Sequence, residues 1–122
     1  MTLTKRSTKG SALTYTEMDA NLTHLDLYKT VENASGGGAI SLTTGVTFIT
    51  TTGTESYSLA DGTEGQFKII IMKVDGGNAT ITPTNLVGWT SVRFTDVNNN
   101  VQLLYGSTGW NIIALQQATR IS

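Results

Sequence analysis

The side chains that enzymes most often use for catalysis are sparse in this sequence. It contains one histidine, His24, and no cysteine, which excludes disulfides, thiolate chemistry and cysteine-based zinc sites. A zinc site needs three or four ligands, and His24 has no second histidine or cysteine to join it. We therefore interpret His24 as a surface residue and expect neither metal binding nor general base catalysis there.

Four carboxylates of the C-terminal region could in principle work as a general acid and base pair. They are Asp61, Glu64, Asp75 and Asp96. Asp61 and Asp75 each directly precede a glycine, a position that turn chemistry alone favours for aspartate. The pattern indicates turns, and we expect a protein with no enzymatic activity, no catalytic residues and no cofactor.

Three consecutive glycines, Gly36-Gly37-Gly38, are the nearest approach to a phosphate-binding loop. A phosphate loop follows a strand, carries a Gly-Lys-Ser/Thr sequence and opens a helix. This glycine run follows a predicted helix instead and has none of those features. We interpret it as a linker.

Aromatic side chains of the C-terminal region could form a stacking platform for sugars or single-stranded nucleic acid. They are Phe67, Trp89, Phe94, Tyr105 and Trp110. Phe67 and Trp110 sit within apolar strand patterns, so core packing is expected for both. Trp89 follows Gly88 at a strand entry and is the candidate surface aromatic, which keeps a carbohydrate-binding face open.

The charge distribution argues against nucleic acid as a partner. Lys5, Arg6 and Lys9 give the first nine residues a charge of +3 within a chain of net charge −1. Three charges are too few for a nucleic-acid surface, but they suit an arm that contacts an acidic protein surface. No stretch approaches the roughly 20 apolar residues of a membrane helix. Residues 1–6 have no apolar core behind their charges, unlike a secretory signal, so we expect assembly in a cytoplasm.

Composition favours β structure. Threonine occurs 22 times, proline once, and only 14% of the residues are charged. Threonine is β-branched and suits a pleated surface, while its hydroxyl tolerates solvent. Such a charge-poor surface is typical of protein layers that contact other protein surfaces.

The chain divides into four predicted segments. Residues 1–13 form a basic extended arm, 14–33 a helix, 34–38 a glycine-rich hinge and 39–122 a β domain. Thr14 followed by Glu17 fits a capping box at the helix start. An apolar stripe follows this helix at spacings of 3, 4 and 3 residues, and its members are Tyr15, Met18, Leu22 and Leu25.

Eight short strands separated by turn residues are predicted in the β domain. They cover residues 39–43, 46–51, 55–59, 66–74, 79–83, 90–95, 101–105 and 109–115. The run 66–74 is the most apolar and is predicted to be the central strand. The regular spacing favours a mainly β fold, with a small antiparallel β-sandwich or jelly-roll-like domain after the helix.

The segment Lys9–Leu25 resembles a short N-terminal motif of tailed-bacteriophage virion proteins. The matching residues are Gly10, Leu13, Thr14, Glu17, Met18, Asp19, Ala20, Asn21, Leu22 and Leu25. In that family the motif precedes fibre, appendage or head-decoration domains. Three further segments are similar to small β modules in proteins of marine and cyanobacterial phages, which are often trimeric. These segments are Tyr57–Gln66, Thr82–Leu86 and Leu103–Tyr105, and the last is followed by Gly109-Trp110.

The resemblance implies a virion structural protein that forms a homotrimer. If residues 1–122 are the whole gene product, the short chain favours a capsid-decorating, or cement, protein that binds the major capsid protein at capsomer junctions through Lys5, Arg6 and Lys9. The alternatives are a tail-fibre or tail-adaptor subunit bound to tail proteins and, in a different class, a carbohydrate-binding module. The apolar stripe has two interpretations: a three-stranded seam on a trimer axis, or a docking surface for the chain's own β domain or for the shell.

Overall fold

The computed structural model describes residues 30–122, which form ten β-strands and no helix. The strands are β1 (Val31–Ser35), β2 (Gly38–Ala39), β3 (Val46–Thr50), β4 (Glu55–Leu59), β5 (Phe67–Val74), β6 (Ala79–Pro83), β7 (Ser91–Phe94), β8 (Asn100–Tyr105), β9 (Trp110–Gln116) and β10 (Thr119–Ile121). This part of the chain is mainly β, as its composition predicts.

The strands form two five-stranded sheets. Sheet 1 has the order β1-β3-β5-β8-β9, and sheet 2 has the order β10-β7-β6-β4-β2. The first six strands alternate between the two sheets, so the chain passes through both sheets three times before β7. Because each pass returns to the same sheet in the same direction, β1, β3 and β5 pair in parallel, and so do β2, β4 and β6.

The later strands pair antiparallel. β8 pairs with β5 and with β9, and β7 pairs with β6 and with β10. Both sheets are therefore mixed, and the prediction of a purely antiparallel domain is wrong for the first six strands. Turn residues between strands mark where the chain reverses, but they carry no information about whether it returns to the same sheet or crosses to the other one.

One hydrophobic core receives side chains from both sheets. Sheet 1 contributes alternate residues such as Ile49, Ile70 and Leu103, and sheet 2 contributes Leu59 and Phe94, all of them at most 1% exposed. Alternation along a strand sends every second side chain to this core. The opposite side chains of each strand form the outer faces of the two sheets.

Seven of the eight predicted strands are confirmed to within one residue at each end, and they correspond to β3–β9. The remaining predicted strand, over residues 39–43 and first in the β domain, is wrong beyond Ala39. The chain leaves sheet 2 there, and residues 41–44 have no strand structure. The sequence patterns predict neither β1 nor β10. Both are edge strands, paired on one side, and their sequences carry little apolar alternation.

The predicted end of the helix needs correction. Residues 31–33 belong to β1, which pairs along its whole length with β3, so the helix does not reach residue 33. The predicted hinge over 34–38 instead holds the end of β1, a tight turn and the start of β2. The arm over 1–13 and the helix as far as residue 29 lie outside the described residues.

That turn explains the glycine run. Gly36, Gly37 and Gly38 have φ values of +77°, +79° and +105°, which other residues rarely adopt. A Cβ at Gly37 would lie 2.8 Å from the carbonyl oxygen of Ser56. The glycines therefore allow β1 of sheet 1 to turn closely into β2 of sheet 2.

Candidate functional site

One residue of the predicted sites falls within the described part of the chain, and it is Trp89. The predicted shell-contact residues and the apolar stripe lie outside it; they are Lys5, Arg6, Lys9, Tyr15, Met18, Leu22 and Leu25. The structure therefore bears on the surface aromatic and on surfaces of the β domain that the sequence did not single out.

Trp89 lies in the loop between β6 and β7 and is 38% exposed. The guanidinium carbon of Arg120 lies 4.9 Å from the centroid of the indole ring, a cation–π contact from β10. The loop is held at both ends by the backbone: the Trp110 amide donates to the Asn85 carbonyl at 2.8 Å, and the Thr90 amide donates to the Ile121 carbonyl at 2.8 Å.

Beside Trp89 is an open cleft of about 450 Å³. Its lining is rich in hydroxyl groups and includes Thr82, Thr84, Thr90 and Thr108. Hydroxyl donors beside an indole can hold a polar ligand with an apolar face. Arg120 already occupies space over the ring, so a stacked ligand must use the remaining indole surface or displace the guanidinium group.

The remaining aromatic residues of the β domain divide between core and surface. Trp110 is fully buried, its Nε1 donates to the Ala60 carbonyl at 3.0 Å, and Tyr105 meets it edge-on with ring centroids 5.1 Å apart. Core packing of Trp110 is confirmed. The same prediction is wrong for Phe67, which is 41% exposed on the outer face of sheet 1.

The outer face of sheet 1 is apolar across β3 and β5 and at Leu104 of β8, while Gln102 and Asn100 of β8 are polar. We name the following six side chains the apolar patch: Val46, Phe48, Phe67, Ile69, Ile71 and Leu104. They stand in register, with Val46 opposite Ile69, Phe48 opposite Ile71 and Phe67 opposite Leu104. All six retain solvent-accessible area. Sequence reasoning missed this surface, although both alternate sets of residues in the run 66–74 are apolar, which is typical of a strand covered on both faces.

The outer face of sheet 2 differs in composition. Ser56 and Ser58 of β4, Thr80 and Thr82 of β6 and Arg93 of β7 point away from the core. Ser56 pairs with Thr80, and Thr80 pairs with Arg93. This face is hydrophilic and suits contact with water, so the two outer faces of the domain have opposite character.

Lys68 is a buried cation on the inner side of β5, with no exposed surface. Its Nζ donates to the carbonyl oxygens of Ser41 and Thr44, both at 2.9 Å, and to the Thr44 Oγ1 at 2.7 Å. Burial lowers the pKa of this ammonium group from 10.5 to about 8, and the nearby negative charge of Glu32 opposes that shift. Lys68 therefore ties residues 41–44 to the centre of sheet 1.

Glu32 supports the same region from β1. Its Oε1 accepts from the Thr47 hydroxyl at 2.8 Å, and both carboxylate oxygens accept from the Ser41 amide, at 3.1 and 3.2 Å. Glu32, Lys68 and their partners hold backbone and hydroxyl groups of the domain itself. The arrangement is structural, with each charged group engaged in positioning the segment between β2 and β3.

Three of the four carboxylates considered for catalysis, Asp61, Asp75 and Asp96, accept local hydrogen bonds. Asp75 Oδ1 accepts from the Gly77 amide at 3.1 Å, as turn chemistry predicts. Asp61 accepts from the Asn85 side-chain amide through both oxygens, at 2.9 and 2.8 Å. The turn predicted at Asp61 lies instead at 63–66, where the Gln66 amide donates to the Thr63 carbonyl at 2.8 Å. Within residues 30–122, no group of three or more histidine or acidic side chains is arranged to hold a metal ion.

Comparison with protein-family models and with curated proteins finds no match for this chain. In the described part of the chain, no helix has the length and apolar character needed to cross a membrane.

Proposed function

We propose that this chain is a structural subunit of a tailed-phage particle, a capsid-decorating protein that binds the outer shell as a homotrimer. The observation that carries the proposal is the motif within Lys9–Leu25, whose residues resemble the N-terminal motif of phage virion proteins. The partner is the major capsid protein at capsomer junctions, and the place of action is the virion, assembled in the bacterial host's cytoplasm.

The β domain has surface properties that suit this role. Its two sheets share one core, and the outer face of sheet 2 presents hydroxyl-bearing side chains to solvent. Surfaces with few charges associate with other protein surfaces at a low desolvation cost. The β domain provides bulk at the particle surface, while the basic arm provides attachment.

The experiment that tests the proposal separates attachment from folding. Purified shells stripped of this protein are mixed with the full chain, with a variant lacking residues 1–13, and with the triple variant Lys5→Gln, Arg6→Gln, Lys9→Gln. We expect both variants to remain folded trimers by sedimentation and to lose shell binding. Unchanged binding by the triple variant at physiological salt would contradict attachment through the basic arm.

Copy number distinguishes the capsid from the tail. Quantitative mass spectrometry of purified particles should find hundreds of copies of a shell-decorating protein. Tens of copies or fewer would instead support the alternative, a tail-fibre or tail-adaptor subunit whose partners are tail proteins.

A carbohydrate-binding module is the second candidate, favoured by the threonine-lined cleft beside Trp89. If the cleft binds sugars, glycan-array binding by the full chain is lost in Trp89→Ala and kept in Val97→Ala, which removes an exposed apolar side chain outside the cleft. Absence of glycan binding by the full chain at millimolar concentrations rejects this candidate.

A further inference from the structure

The apolar patch on the outer face of sheet 1 has the same kinds of side chain as the hydrophobic core. Its central strand, β5, sends Ile70 and Met72 to the hydrophobic core and Ile69 and Ile71 to the outer face. A strand that is apolar on both sides is typical of a sheet covered on both sides. An apolar side chain exposed to water lacks the favourable free energy of burial. An element that covers the patch would therefore stabilise the protein.

The dimensions of the patch match one short helix. From Phe67 to Ile71 it extends about 13 Å along β5, at about 3.3 Å per residue, and it spans about 10 Å from β3 to β8 at the usual strand spacing. A helix over residues 15–25 would be about 15 Å long and about 10 Å wide. The patch is therefore long enough and wide enough for a single helix of that length.

The helix predicted from the sequence lies next to the patch along the chain. Twenty-nine residues precede the described part, and the chain enters sheet 1 at Val31, whose register partner is Val46 of the patch. Leu25 lies six residues before Val31, a separation that spans at most about 20 Å when extended. We propose that the apolar stripe (Tyr15, Met18, Leu22 and Leu25) packs on the apolar patch of its own chain.

The size of the patch favours this occupant over a second copy of the chain. A rectangle of about 13 by 10 Å is far below the roughly 800 Å² per partner that a stable protein interface buries. An intramolecular contact needs no such area, because a six-residue connection keeps the helix at a high effective concentration over the sheet. This packing is a property of the chain in solution and does not depend on the virion role.

The borders of the patch agree with a helix whose polar side faces water. Lys73 Nζ lies 5.6 Å from the centroid of the Phe48 ring at one border. Asn100 and Gln102 of β8 supply neutral amide groups beside Ile71 and Ile69, respectively. These polar groups remain solvated beside a docked helix, while the apolar side chains between them become covered.

Cysteine cross-linking tests the proposal directly, because the natural chain has no cysteine. Leu22→Cys is combined in turn with Phe48→Cys, Phe67→Cys and Ile69→Cys in the full chain. The control series places His24→Cys, on the opposite side of the predicted helix, with the same three partners. We expect on the order of ten-fold more intra-chain disulfide for at least one Leu22→Cys pair than for its control, since a disulfide needs Cα atoms closer than about 7 Å.

The cross-linking outcomes are distinguishable on a denaturing gel. An intra-chain bond leaves the molecular mass at one chain and supports the proposal. Bonds between chains at micromolar protein would show that a second copy covers the patch and would overturn it. Equal cross-linking by the Leu22→Cys and His24→Cys series would also overturn it, because the stripe would then have no preference for the patch.

Methyl NMR gives a second readout without cysteines. Leu22→Glu should move the methyl resonances of Ile69 and Ile71 toward positions of solvent-exposed isoleucine, while His24→Glu should leave them unchanged. Both variants add the same carboxylate to the same predicted helix, so the comparison isolates the apolar contact. Unchanged Ile69 and Ile71 resonances in Leu22→Glu would reject the packing, whatever the state of association with the shell.

Discussion

Lys68 sits where an apolar residue would be expected, on the inward side of a strand whose other inward residues are Ile70 and Met72. Three oxygen acceptors within 2.9 Å satisfy its ammonium group, but the loss of hydration still disfavours the charge. The lowered pKa expresses that cost. The sequence pattern does not show that Lys68 is buried, because a single lysine within an apolar run can equally lie on a solvent-exposed strand.

The stability of the protein should therefore depend on pH through Lys68. Between a folded pKa of about 8 and the ordinary value of 10.5, the unfolded chain binds a proton at this lysine and the folded chain does not. The free energy of unfolding then rises with pH in that window, by about 2 kcal/mol between pH 7 and pH 9.5. Urea unfolding of the natural chain should show this rise, and Lys68→Met should abolish it.

The control for this prediction is Lys73→Met, which removes an exposed lysine of the same strand. It should keep the rise seen in the natural chain. Measurements stop at pH 9.5 because Tyr57 acts in the opposite sense above pH 10: burial first, and then its hydrogen bond to Glu55, raise the pKa of the Tyr57 phenol to about 12. A natural chain without a pH-dependent rise relative to Lys68→Met would contradict the assignment.

A second prediction concerns Gly37, which has φ of +79° and no room for a Cβ beside the Ser56 carbonyl. Gly37→Ala should lower the free energy of unfolding by about 1–3 kcal/mol through backbone strain. Gly53→Ala is the matched control, because Gly53 has no positive φ and open space at its Cβ position. Equal stability of the two variants would show that the β1–β2 turn accommodates a side chain.

At the scale of elements, β1 is the clearest departure from the sequence prediction. The sequence predicts residues 31–33 as the end of the helix, but Val31–Ser35 pairs with β3 as a strand. Glu32 then matters as an anchor rather than as a helix surface charge. Its carboxylate joins β1 to Thr47 of β3 and to the Ser41 amide beyond β2.

Glu32→Ala should therefore destabilise the domain by about 1–2 kcal/mol, since a carboxylate that accepts hydrogen bonds from protein groups is lost. Asn33→Ala is the control, because the neighbouring Asn33 side chain is exposed on the opposite face of β1. It should change the free energy of unfolding by less than about 0.5 kcal/mol. Chemical denaturation at pH 7 measures both, and a Glu32→Ala cost no larger than that of Asn33→Ala would remove its role as an anchor.

At the scale of the whole molecule, the three passes of the chain through both sheets place β3 and β5 inside sheet 1, and β4 and β6 inside sheet 2. Each of these four strands has a partner on both sides. The strands β1, β9, β2 and β10 lie at the edges and have a partner on one side only. Local opening therefore costs least at the edges.

Hydrogen exchange should follow this order. Backbone amides of β5 and β6 are expected to exchange on the order of 100-fold more slowly than those of β2 and β10. NMR-detected exchange at pH 7 measures the two groups in one sample. Equal protection of β2 and β5 would mean that the domain opens only as a whole, or that another surface covers the edge in solution.

The sequence by itself determined most strand positions and the mainly β class. Turn residues such as Asp75-Gly76 break the chain into short segments, and alternation in Glu55–Leu59 identifies its inward side chains. These are local properties, set by backbone preferences and by the two-residue period of a strand. They also identified Gln66–Val74 as a central strand, which β5 is.

The tertiary structure alone decided which strands are neighbours and which faces remain open. Parallel pairing of β1, β3 and β5 depends on where the chain goes after each turn, and the burial of Lys68 depends on oxygen atoms of residues 41–44. Phe67 shows the same limit, because an alternation that is apolar on both faces does not say which face meets the core. Contacts between residues distant in the chain settle these questions, and local sequence patterns do not encode them.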